Sequence, residues 1–370
     1  MTRLTLIMVA TGIAVAGCAG HGEYTSAFRE DAIANQSNLR AATNYDLATQ
    51  QFHSGDLERG LETIDNSIAL NAGVPYSHLL RGRILGELGR SRDALDAFAR
   101  VETLDPTNAD LFYGRGIVFE RIGQIQQAHD SYVHAVELAP NAIHYRLAVA
   151  ESLIDLGRID DARTMLTGEG GEDELVPGFR QLLGHIAFMT GQTDEALQFF
   201  TEAVLLDAND PVLREDLCRA QISAHRFAEA ESTLRGLSSQ AYYKQRRDLR
   251  YLHASCLIEL DRPVEARAIL LELTTGAAGT NDIEAWIRIV DVAVLLRDDH
   301  LLRTAARHLM TSAPRRAEGF LAQAYWQRGQ GDLDGALHSA EQAIDRAGDN
   351  QTPRRFKAIL ERDRARQQAG

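Results

Sequence analysis

The packing and turn positions of this chain fall on a fixed ruler. Ala94, Ala128, Ala162, Ala196 and Ala230 lie 34 residues apart, and Gly55, Gly89, Gly123, Gly157 and Gly191 keep the same interval. A period that carries a small residue and a turn residue together predicts an array of helix–turn–helix repeats. A glycine set just after the first helix can take the left-handed conformation that ends it with satisfied carbonyls. Acidic and capping residues such as Asp160-Asp161 and Thr193-Asp194-Glu195 then open second helices, where the positive helix end favours them. No such repeat buries its apolar face alone, so stability must come from stacking on neighbours.

On this ruler the repeats begin at Ala41, Pro75, Ala109, Ile143, Pro177 and Pro211. Gln245 and Arg246 break the frame, which resumes at Arg247, slips by two again and continues at Ile283 and Ala317. The expected organisation is therefore 41–74, 75–108, 109–142, 143–176, 177–210, 211–244, 247–280, 283–316 and 317–350, nine repeats in all. The acidic, glycine-rich stretch from Gly168 to Glu174 predicts a shortened second helix, read either as a hinge or as a solvated loop. At the end, Thr352-Pro353 signals a helix start, and Phe356, Ile359 and Leu360 make an apolar stripe at helical spacing. Residues 351–370 are thus expected to cap the last repeat. Their basic tail (Arg354, Arg355, Lys357, Arg362, Arg364 and Arg366) serves solubility or meets an anionic headgroup or acidic partner. Ahead of the array, residues 18–40 read as a tether followed by a lead-in helix over Tyr24 to Arg40.

Within each repeat the pattern resembles the tetratricopeptide repeat. That family wants a small residue at its eighth position, supplied here by Ala48, Gly82, Gly116, Ala150, Gly184, Cys218, Ala254 and Ala324, with Val290 the exception. It wants alanine at the twentieth, where Ala266 and Ala336 extend the series while Gly60 and Leu302 depart from it. Phe98, Tyr132, Leu166, Phe200, Leu234 and Leu270 fill the bulky twenty-fourth position, and Pro106, Pro140 and Pro314 fall where the family stops its second helix. The resemblance implies an all-α, right-handed superhelical solenoid of about nine helix–turn–helix units with a C-terminal capping helix. It also implies a concave groove lined by first helices. Carried onto this sequence, the groove positions include Tyr45, Phe52, His53, Tyr76, Arg83, Tyr113, Arg121, His185, Phe188, Arg219, Tyr251, Tyr325 and Arg328, with Glu87, Glu120, Glu151 and Asp291 nearby. Tyrosine and arginine are enriched at protein-binding hot spots, so the implied partner is a protein or peptide. The lysine and asparagine of the family's carboxylate clamp are missing from the groove.

The N-terminus predicts a destination. Arg3 precedes an apolar run from Leu4 to Ala16, too short to span a bilayer comfortably, in the manner of a secretory leader. Val15-Ala16-Gly17-Cys18 resembles the lipobox of bacterial lipoproteins, which implies removal of residues 1–17 and acylation of Cys18. Ala19, in place of the aspartate of inner-membrane retention, implies an outer-membrane lipoprotein facing the periplasm. Two alternatives stay open: Ala14-Val15-Ala16 suits ordinary signal peptidase and a soluble periplasmic product, and the run could also stay as a membrane anchor. In such a compartment a disulfide between Cys218 and Cys256 is conceivable, as is a pair of buried free thiols.

Charge and composition narrow the field further. The net charge is −13, and Lys244 and Lys357 are the only lysines, so a nucleic-acid partner is not expected. The twelve histidines include no H-E-x-x-H and no i, i+4 pair, so no metal site is expected. No phosphate-binding glycine loop or nucleophile elbow is present either, and no cofactor or catalytic residue is assigned. Three roles remain: a scaffold in envelope assembly, secretion or pilus biogenesis; an accessory or regulatory subunit of a cell-wall or polysaccharide enzyme; or a carbohydrate or lipid binder acting through the basic tail.

Overall fold

The computed structural model describes residues 23–167, 175–275 and 282–369. The leader with Cys18 and the Gly168–Glu174 stretch lie outside the described residues. The described fold is all-α, with helices joined by turns and short loops and no strand among the described residues. Its elements are α1 (Glu23–His53), α2 (Leu57–Leu70), α3 (Pro75–Glu87), α4 (Ser91–Leu104), α5 (Ala109–Arg121), α6 (Ile125–Leu138), α7 (Ile143–Asp155) and α8 (Ile159–Leu166). There follow α9 (Pro177–Met189), α10 (Thr193–Leu206), α11 (Pro211–Ser223), α12 (Phe227–Leu237), α13 (Ala241–Gln245), α14 (Arg247–Glu259), α15 (Pro263–Leu273) and α16 (Ile283–Leu296). The last four are α17 (Asp299–Ser312), α18 (Glu318–Gly329), α19 (Leu333–Ile344) and α20 (Thr352–Ala369). The chain divides into two compact lobes, Met1–Ala162 and Arg163–Gly370, and in each consecutive helices pack as pairs.

Several details differ from the sequence expectation. α1 is one continuous helix of 31 residues, so the lead-in segment and the first helix of the array have no break between them at Ala41. Nothing between Tyr24 and Arg40 stops a helix: the stretch lacks proline and glycine. α8 spans 8 residues where α4 and α10 span 14. At the first frame slip the chain forms the extra short helix α13. Gln192, not Thr193, is the N-cap of α10, leaving Thr193, Asp194 and Glu195 in its first turn.

The close approach of paired helices has a simple steric cause. A methyl group added at Gly82 would lie 2.6 Å from the Phe98 ring, at Gly116 2.3 Å from Tyr132, and at Gly184 2.6 Å from Phe200. Each ring fills the space that its glycine leaves, and all three rings are buried. The large partner shrinks where the small one grows. Ala48 is matched with Ile64, Cys218 with Leu234 and Ala254 with Leu270, all buried. Val290, the exception at the eighth position, is matched with Ala306, and the two share one core cluster. In these pairs a larger residue on one side goes with a smaller one on the other, as close packing favours; in the last repeat Ala324 and Ala340 are both small and share their core cluster with Phe356 and Leu360 of α20.

The turn between paired helices is equally regular. Gly55, Gly89, Gly123, Gly157, Gly191 and Gly331 all have positive φ, and the same ruler position is held at positive φ by His225, Asp261 and Arg297. After each one, the next N–H reaches back to the carbonyl five residues earlier, as in Gln124 to Phe119 and Asp298 to Ala293 (both 2.9 Å). This is the Schellman closure, and it persists without glycine. The left-handed conformation costs a side chain about 1–2 kcal/mol, somewhat more than the entropy glycine loses on folding.

Burial also sets a pH dependence. In the C-terminal lobe His253 is buried, with Nδ1 2.8 Å from the Tyr243 hydroxyl and Nε2 3.8 Å from the buried Glu231 carboxylate, which Arg262 approaches to 3.4 Å. Burial holds the ring below the usual imidazole range, against the opposing pull of Glu231. In the N-terminal lobe burial likewise lowers His129, which lies 2.9 Å from Ser152 Oγ.

Three outcomes follow for stability. Gly184→Ala alone should cost about 1–3 kcal/mol by overpacking, and Phe200→Leu should relieve part of that cost, read as a coupling term in a denaturant-unfolding cycle. Arg297→Gly should stabilise the chain by up to about 1 kcal/mol, whereas Gly123→Ala, with open space around the added carbon, should cost about 1 kcal/mol. Because folded His253 binds its proton less readily than the unfolded chain, its contribution is fully present above about pH 6.5 and lost on acidification. Unfolding midpoints should fall between about pH 7.5 and 5.5, and fall less in His253→Gln.

Candidate functional site

First helices of neighbouring pairs touch one another, α1 with α3 and α3 with α5 in the N-terminal lobe, so their side chains share one face. Tyr45 and Tyr76 meet edge to face at 4.7 Å, with Tyr76 46% exposed. The Arg83 guanidinium lies over the Phe52 ring at 5.3 Å, and His53 points to solvent at the end of α1. Arg83 lines two adjoining depressions. One, of about 190 Å³, is framed by Asp110, Tyr113, Ile117 and His144; the other, of about 80 Å³, by Phe52, Glu87, Ile117 and Arg121. Tyr113 is held between His144 at 5.3 Å and Tyr145 at 5.2 Å. Burial and the nearby Glu151 raise its phenol pKa, against the attraction of Arg83. Arg121 is tied back to its neighbour repeat, donating to the Gly86 carbonyl at 2.8 Å and to Glu87 at 2.6 Å.

In the C-terminal lobe the groove positions divide between open and engaged. Phe188 is 43% exposed at the end of α9, beside the exposed Met189. His185 packs edge-on to Phe200 at 5.1 Å and lies 3.2 Å from the Asp216 carboxylate. Arg219 pairs with Glu215 at 2.7 Å and Asp248 at 3.1 Å, and Arg246 bridges the same two acids. Arg246 holds the Asp248 carboxyl down to about 2. The Tyr251 hydroxyl donates to Asp282, and Arg288 covers its ring at 5.2 Å. Tyr325 stacks on Phe356 at 3.9 Å and Arg328 pairs with Asp363 at 2.7 Å, so both help to hold α20.

Nine of the thirteen candidate residues fall into two sets. Tyr76, Arg83, Tyr113 and Phe188 sit at open or lightly lined surface, whereas Arg121, Arg219, Tyr251, Tyr325 and Arg328 are committed to contacts within the lobe. Spacing alone does not separate the sets: Glu215 lies one turn before Arg219 on α11, but Glu87, Asp248 and Asp363 reach Arg121, Arg219 and Arg328 from other helices. Asp110 and His144 frame the larger depression of the N-terminal lobe and were not identified from the sequence. Their signal in the sequence is position: each is the second residue of its repeat, as Tyr76 is; the Tyr145 hydroxyl donates to Asp110 across neighbouring repeats at 2.9 Å. Cys218 and Cys256 are free thiols, both buried in one core cluster; burial pushes them up to about 12 and about 11. Among the described residues no group of three His, Cys, Asp or Glu side chains is placed to hold a metal ion.

The helix pairs, their left-handed turns and the shared face of first helices define an α-helical repeat scaffold. Family models of the tetratricopeptide repeat match residues 79–143, 143–166 and 187–242, and these stretches are tetratricopeptide repeats. The chain is 23% identical over 325 residues to tetratricopeptide repeat protein 34 of Mus musculus, covering 75% of this chain and 58% of that protein. It is similar to a thermophilic tetratricopeptide-repeat protein of Thermus thermophilus, at 20% identity with 49% of this chain and 99% of that chain covered and a TM-score of 0.42. It is also similar to PilW, described as a widely conserved type IV pilus biogenesis factor, at 16% identity with 55% and 96% covered and a TM-score of 0.46.

The arginine assignments predict different costs. Arg219→Ala, which leaves the buried Glu215 with Arg246 as its remaining ion-pair partner, should lower stability by about 1 kcal/mol or more. Arg83→Ala should stay within about 0.5 kcal/mol of the parent in urea unfolding, because its contact is with an aromatic ring at the surface.

Proposed function

We propose that this chain is a non-catalytic protein-binding scaffold, anchored to the bacterial envelope by an acylated Cys18 and presenting its first-helix face to a protein partner. The observation that carries the binding half is the run of Tyr45, Tyr76, Phe52 and Arg83 along touching first helices, continued by Tyr113. Aromatic rings held by one another lose little entropy on contact, and an arginine over a ring offers both charge and a flat face. The anchoring half is supported by the Val15-Ala16-Gly17-Cys18 sequence. No described helix is long and apolar enough to cross a membrane. Envelope assembly, secretion or pilus biogenesis are the settings in which such an anchored scaffold would work, with an outer-membrane site facing the periplasm.

Two measurements test this. Cys18→Ser should leave an unprocessed precursor and abolish acyl incorporation; retention of a mature, membrane-bound form in that variant would overturn the anchoring. Tyr76→Ala with Arg83→Ala should lower crosslinked partner recovery in the periplasm about tenfold or more while thermal unfolding stays unchanged. Equal recovery from parent and variant would remove this face as the binding surface.

A further inference from the structure

The C-terminal lobe contains a recess on its first-helix face, lined by the groove residue Tyr325 and by Asp291 beside it. It has a volume of about 340 Å³, lies between α16, α18 and the start of α20, and is walled by Ile287, Val290, Val294 and Leu321 with Tyr325. That volume lies within the range of sites that take small ligands or single anchoring side chains. The Tyr325 wall is fixed from behind by its stack on Phe356. Leu295, on the rim, is 58% exposed.

One charged group, the solvent-exposed Asp291, interrupts this apolar lining. Asp291 opens into the recess and is hydrogen-bonded or ion-paired to no group among the described residues, whereas the other acid at the rim, Glu318, is paired with Arg316 at 2.6 Å. The nearest cation, Arg288, is turned to Glu284 at 3.0 Å and to Ser255 at 3.0 Å. Desolvation by the surrounding protein raises the Asp291 carboxyl above the usual carboxylate range, more than Arg288 lowers it. Asp291 is exposed at the mouth of the recess, so water solvates it in the free protein, and a cation seated against the aliphatic walls meets it in a charge-assisted hydrogen bond.

We propose that this recess is an anchoring site for a lysine side chain of a protein partner, its aliphatic stem lying along Val290, Val294 and Leu321 and its ammonium on Asp291. The match is one of charge and shape together. A slender four-carbon stem suits the apolar walls, and a compact cation suits a single carboxylate beside the face of Tyr325. The inference rests on the scaffold reading and deepens it, by assigning basic chemistry to one contact of the partner.

The test uses the purified chain and three probes of equal length: hexylammonium, hexanol and hexanoate. Hexylammonium should shift the amide signals of residues 287–295 and 318–325 and bind about tenfold tighter than hexanol, with hexanoate weaker than either. Asp291→Asn should erase the preference for the ammonium over the alcohol, and Asp291→Glu should keep most of it. Asp291→Asn should also melt no lower than the parent, since it removes a charge without a partner. Hexylammonium binding no tighter than hexanol, or a preference that survives Asp291→Asn, overturns the proposal, and the first comparison decides even if the variant fails to fold. Hexylammonium binding without any protein recovered in the crosslinking experiment would keep the recess and remove the scaffold reading.

Discussion

Where Gly116 passes the ring of Tyr132, a carbon added to the backbone would meet that ring at 2.3 Å. The whole repeat hangs on this kind of approach. The two helices of a pair can lie close only if one of them gives up volume at the crossing, and the other then fills the space with a large side chain. Buried area around the crossing supplies the favourable free energy, but the area is reached only at this separation. The glycine–aromatic pairs, the alanine–leucine pairs and the valine–alanine pair are different solutions of one constraint.

This explains which marks of the sequence are regular and which are free. Small residues at the crossing and the left-handed residue at the turn recur because backbone geometry demands them. The positions between them face neighbouring repeats or solvent, and there the chain varies. Arg121 and Glu87, one period apart, join consecutive repeats. Arg83 lies on the same kind of helix face, yet its contact is an aromatic ring at the mouth of a depression. Specificity therefore resides on a frame that is itself indifferent to the partner.

Much of the fold was legible because its period is a packing period. The starts of α3, α5, α7, α9, α11, α14 and α16 coincide with positions read from the glycines and alanines alone. The left-handed turns at His225, Asp261 and Arg297 were not legible, because the sequence shows a glycine preference and not the conformation that the tertiary contacts impose. Val290 looked like a defect only because the ruler was applied to one position at a time. The site was less legible still. Tyr325 and Arg328 were assigned to the groove, but the cap helix engages both, and no spacing within a repeat foretells what a terminal helix will cover. The Asp291 recess needed the walls of three helices to be seen together.

The claim that the two members of a crossing pair trade volume with each other is tested most directly where the usual order is reversed. Val290→Ala alone should cost about 0.5–1.5 kcal/mol and Ala306→Leu alone about 1–3 kcal/mol in denaturant unfolding. Together they install the alanine–leucine pair found at Ala254 and Leu270. The double variant should return to within about 0.5 kcal/mol of the parent, a coupling comparable to the single costs. Costs that simply add would contradict the account, since the two positions would then be packing independently.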